Sequence, residues 1–179
     1  MGLIVIAIMY NLSIINGRFV NVVSKIDNNE YIVRKLPDKQ EAADRLATIA
    51  KNLKIVVDNM DTSIEGVSQL QSNFNSKNLT ENVYGGKYTA FSVNKGEQLT
   101  LCLRDKDNKF IDYNIVYFVA IHELAHVMTD EIGHTPKFWN NMKKILEKAV
   151  SLDIYTKIDY SKNPTTYCGQ EIKSSPLYS

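Results

Sequence analysis

All three histidines of this 179-residue chain fall within HELAHVMTDEIGH, residues 122–134. His122 and His126 are four apart, which on an α-helix puts both imidazoles on one face, a turn apart, where they can reach one ion. Glu123 is next to the first of them. Its carboxylate is offset from such an ion by about the width of a water molecule, so it suits a proton acceptor better than a ligand. With this composition the pattern His-Glu-x-x-His arises by chance on the order of once in 400 such chains. The bland alternative is a pair of ordinary helical histidines that cap or pack.

A hydrolytic zinc site needs three protein ligands and one open position. His134 is the first candidate for the third. Gly133 before it permits a reversal, and Thr135-Pro136 after it reads as an N-cap followed by proline at the first helical position. The helix bearing His122 and His126 should therefore end near Thr129, with a seven-residue loop returning His134 to the ion. Glu147, on the following helix, is the competing third ligand.

The elements that must position these groups follow from periodicity. Residues 18–36 are strand-prone up to Pro37. Asp38 and Glu41 resemble a capping box, and the apolar series from Ala42 to Met60 predicts an amphipathic helix of about five turns. A shorter helix is expected over 63–73, with Gly66 as a weak point. Tyr88–Val93 and Gln98–Arg104 flank Asn94-Lys95-Gly96 and predict a hairpin. The apolar run 115–121 leads into His122, a helix is expected over 136–150, and the remainder reads as an irregular tail. Phe138 and Trp139 are expected to pack the last helix against the core.

Composition narrows the function. With 21 basic and 20 acidic residues, the net charge is +1, which supplies no global field for nucleic acid or an anionic membrane. The lysines at 137, 143, 144 and 148 read as a solvated helix face. Cys102 and Cys168 have neither Cys-x-x-Cys nor paired-ligand spacing, so no disulfide scaffold is expected, and a reducing, cytoplasmic setting is the simpler expectation. Residues 1–27 form an apolar N-terminal segment. As a helix, 2–15 would rise about 20 Å, against a hydrocarbon core of roughly 30 Å. Two readings stand: a buried strand or core helix, or a membrane anchor over 2–23 tethering the domain at 28–179.

HELAH followed by a loop and then His134-Thr135-Pro136-Lys137-Phe138 resembles the WLM and SprT-like metallopeptidases. LPDKQEAADRL, VNKGEQLTLCLR and the Tyr167-Cys168-Gly169 tail also resemble WLM-like proteins of large DNA viruses, so the likeness covers 28–175. The loop before His134 is longer than the usual WLM spacing. The resemblance implies an α+β, zincin-like fold: a small antiparallel or mixed sheet, an active-site helix and flanking helices. It further implies one catalytic Zn2+ held by His122, His126 and His134, with Glu123 as the base for a zinc-activated water that hydrolyses peptide bonds.

The expected partner is a protein or peptide substrate, which could pair with the Tyr88–Val93 strand edge. Nucleic acid enters as a partner through the resemblance alone. Two rivals remain, a DNA-associated repair protease with the same chemistry and a non-catalytic zinc-stabilised binding module. For the oxyanion, Tyr160 and Tyr167 are eligible among ten tyrosines.

Overall fold

The structure, a computed structural model, describes residues 17–179. The apolar run 2–15, and with it the choice between buried element and anchor, lies outside the described residues. Phe19–Val23, the far end of the segment considered as an anchor, is strand β1. Among the described residues no helix is long and apolar enough to cross a membrane.

β1 pairs antiparallel with β2, Glu30–Arg34. The turn between them is fastened to the next helix by Asp44, whose Oδ1 accepts from Ser24 Oγ at 2.8 Å and from the Lys25 N–H at 2.7 Å. That helix, α1, spans Lys39–Asp58 and buries Ala42, Ala43, Leu46, Ala47, Ile49, Ala50, Leu53, Val56 and Val57. Four alanines in the stripe keep the helix close to β2 and β3, and each buried leucine or isoleucine contributes about 1.5–3 kcal/mol. Asp38 occupies the N-cap position without capping: its carboxylate instead takes the Arg104 guanidinium at 2.6 Å.

The short helix α2, Val67–Asn73, begins after Gly66, later than the pattern predicts. Gly66 has φ +86, and a Cβ there would lie 2.2 Å from the Met128 carbonyl oxygen, so only glycine allows α2 to start against the end of the histidine-bearing helix.

β3, Leu79–Asn82, is a central strand that periodicity did not reveal. Thr80, Glu81 and Asn82 are polar, so no hydrophobic alternation marks the strand, yet Leu79, Thr80 and Glu81 are all buried. Glu81 is buried beside Arg104, 2.8 Å from Nε, and Arg104 stacks over Phe110 at 4.1 Å. β4, Ala90–Val93, and β5, Gln98–Cys102, form the expected hairpin, with Asn94, Lys95 and Gly96 all at positive φ. The sheet order is β1-β2-β3-β5-β4, with β2, β3 and β5 parallel and the two outer pairs antiparallel.

α3, Tyr113–Met128, packs against β4, β5, α2 and the final helix α4, Pro136–Ser151. The tail is not irregular throughout. Thr165–Tyr167 and Gln170–Ile172 form a second two-stranded sheet, β6–β7. Its turn residue Cys168 is disulfide-bonded to Cys102 on β5, with Cα atoms 6.2 Å apart and a sequence separation of 66. This overturns the expectation of two separate thiols. Spacing along the chain carries no information about a tail that folds back on the sheet.

Candidate metal centre

α3 starts where the Asp112 carboxylate accepts the Asn114 N–H at 2.8 Å. Val116, Phe118, Ala120, Ile121, Leu124, Ala125, Val127 and Met128 are buried, leaving a narrow open stripe that carries Val119, His122, Glu123 and His126. The helix ends at Thr129, as predicted. Two of its last carbonyls are answered by side chains, Ala125 O by Thr129 Oγ1 at 2.6 Å and Val127 O by Gln69 Nε2 at 2.8 Å, and Asn141 Nδ2 donates in turn to Thr129 Oγ1 at 3.0 Å. These bonds satisfy orphan groups at the helix C-terminus and tie α3 to α4 beneath the intervening loop.

That loop returns through Gly133, at φ +86, to His134. Thr135 then caps α4 by accepting the Phe138 N–H at 3.3 Å, with Pro136 in the first turn. Lys137 Nζ lies 2.8 Å from both Asp130 and Glu65, joining the loop to the segment before α2. His134 Nε2 is consequently 3.0 Å from His122 Nε2 and 3.2 Å from His126 Nε2. The Phe138 ring lies against all three imidazoles, 4.9, 4.3 and 4.8 Å between centroids.

Three imidazole nitrogens that converge in this way suit a cation. Tetrahedral coordination with Zn–N distances of about 2.0–2.1 Å sets neighbouring nitrogens about 3.3 Å apart, close to the observed separations. Burial, followed by the fields of His126 and His134, pushes the His122 imidazole down to about 3; burial and then His134 lower that of His126. The neutral, ligating form of both rings is thereby favoured. Glu147 is exposed on α4 and does not belong to the cluster.

Glu123 faces a cleft of about 350 Å³. Burial pushes its carboxyl up to about 7, opposed in part by the backbone N–H of Ser92, which donates to it from β4. Tyr88, Ala90, Trp139 and residues after Cys168 also line the cleft. Trp139 is 39% exposed and borders this space, so only Phe138 fulfils the packing role expected of both. Tyr167 also borders the cleft, but it is buried and its hydroxyl accepts the Cys102 N–H at 2.8 Å. Tyr160 is buried against Phe118. The tail's share in lining the cleft and the effect of Ser92 on Glu123 were invisible in the sequence, because both depend on how distant segments pack around α3.

The model of the WLM domain matches residues 24–176. The chain is 37% identical over 164 residues to an uncharacterised protein of Acanthamoeba polyphaga mimivirus, covering 87% of this chain and 83% of that protein. It is 32% identical over 142 residues to an uncharacterised protein of Invertebrate iridescent virus 6, covering 73% and 78%. Over 84 residues, 47% of this chain and 30% of the other, it is 30% identical to the DNA-dependent metalloprotease WSS1 homolog of Schizosaccharomyces pombe. In fold it is similar to Wss1 from Saccharomyces cerevisiae, with a TM-score of 0.54 at 20% identity over 68% of this chain and 87% of that one.

Proposed function

The chain belongs to the WLM domain family, and from that premise we propose that it is a zinc-dependent metallopeptidase, with His122, His126 and His134 as ligands and Glu123 as general base. The observation that carries the reading is the convergence of the three Nε2 atoms next to the half-buried Glu123 carboxylate, which lines the same cleft as His122. Zinc, when bound there, supplies Lewis-acid polarisation of the scissile carbonyl and lowers the pKa of water. Glu123 takes the proton of the attacking water and returns it to the leaving amine, and its carboxyl, held near 7, is matched to both steps. The family context supports the enzymatic reading over a closed binding module, since a relative is named as a metalloprotease.

The test is zinc content and casein hydrolysis by the purified chain. Glu123→Gln should retain about one zinc and lose at least a hundredfold in rate, within the range given by general acid–base catalysis. His134→Ala should lose zinc, and Glu147→Ala should not. A wild-type chain that binds no zinc would end this reading. The name of the fission-yeast relative raises DNA dependence as a second reading; activity that requires added single-stranded DNA would support it, against the chain's net charge of +1.

A further inference from the structure

Resting on that reading, we propose that the β6–β7 hairpin is a second substrate-binding wall: an unfolded polypeptide segment enters as one extended strand between the free edge of β4 and the free edge of β7, and the Cys102–Cys168 bond holds that wall in place.

The backbone register supports both edges. Val93 and Gln98 close the β4–β5 hairpin as a bonded pair, so on β4 the outward-facing backbone groups fall at Ser92 and Ala90, and Ala90 borders the cleft. On the hairpin, Tyr167 and Gln170 close a two-residue turn and exchange hydrogen bonds; Glu171 therefore turns its N–H and carbonyl outward, and Lys173 follows with the same sense. Glu171 and Lys173 line the same cleft as Tyr88 and Ala90. Their side chains pair with each other at 3.0 Å, so the wall carries little net charge, and its outward backbone groups are the recognition surface left to a substrate. Such groups select an extended main chain rather than a particular side chain. The hairpin contributes short strands of three residues each, and the disulfide at its turn joins it covalently to β5, next to β4 in the sheet.

The experiment measures binding of fluorescein-labelled β-casein, an unfolded polypeptide, by anisotropy. The full chain is zinc-loaded in a Glu123→Gln background so that the probe survives. E171P removes the outward N–H while sparing the bonds to β6, and E171A keeps that N–H. The expected result is about tenfold weaker binding for E171P than for E171A, the equivalent of one or two backbone hydrogen bonds. A comparable loss is expected in a Cys102→Ser, Cys168→Ser pair whose zinc content is unchanged.

Equal affinity in all of these forms would overturn the proposal. So would an E171A loss as large as that of E171P, which would place recognition in the side chain, or displacement of casein by a single-stranded oligonucleotide. Casein binding that depends on this wall, in a chain whose wild-type form hydrolyses nothing, would sustain the wall and refute only the catalytic reading.

Discussion

At the residue scale, Glu123 carries the most consequential conflict between stability and chemistry. Its carboxyl is raised by burial from 4.5 to about 7, so the folded chain keeps this proton longer than the unfolded chain does. Stability from this group is complete below about 4.5 and falls as pH rises through about 7, a loss of about 3 kcal/mol above that. Glu123→Gln should therefore make the metal-free chain more stable by up to about 3 kcal/mol at pH 8, with the gap closing near pH 4. Urea unfolding at the two pH values measures it, and an equal gap at both would contradict the burial argument. His122 acts in the other direction: its neutral ring favours the folded state above about 6.5, and that contribution is lost as pH falls towards about 3. That contribution is common to both proteins and cancels in the comparison. The identity of these residues was legible from spacing alone, because four positions on a helix are one turn in any fold. Glu123's perturbation was not, since it depends on which strand lies over it.

At the element scale, His134 is brought to His122 and His126 by the junction of α3 and α4. Gly133, Thr135 and Pro136 announced that junction in the sequence and behave as expected. What holds it is the buried chain Asn141–Thr129–Ala125, together with the approach of α2 that Gly66 permits. Asn141→Leu removes a buried donor and leaves Thr129 Oγ1 short of a partner. It should cost about 1–3 kcal/mol in chemical denaturation and weaken zinc retention against a chelator. Thr129→Ser, which keeps the hydroxyl, should leave zinc retention near wild type; a loss as great as that of Asn141→Leu would show that the hydroxyl is not what matters. β3 shows the opposite case. Its Thr80 and Glu81 hide a central strand from any hydrophobic pattern, and Glu81 is tolerated inside because Arg104 arrives from beyond β5.

At the scale of the whole molecule, the disulfide closes a loop that contains α3, the metal-centre loop and α4. In the chain-entropy account a closure of 66 residues stabilises by about 4 kcal/mol, and the Cys102→Ser, Cys168→Ser pair should lose stability of that order in thermal or urea unfolding. An unchanged unfolding midpoint would show that the bond does not constrain the unfolded chain. By itself the sequence determined that three histidines would gather at one helix end, the limits of α1, α3 and α4, and the β4–β5 hairpin, because each rests on local periodicity or turn chemistry. Only the tertiary structure decided the strand order, the burial of Glu81, the pairing of Cys102 with Cys168 and the folding of the tail into a wall of the cleft. Those features join segments dozens of residues apart, and their energies come from burial and pairing between surfaces that no local window of sequence contains.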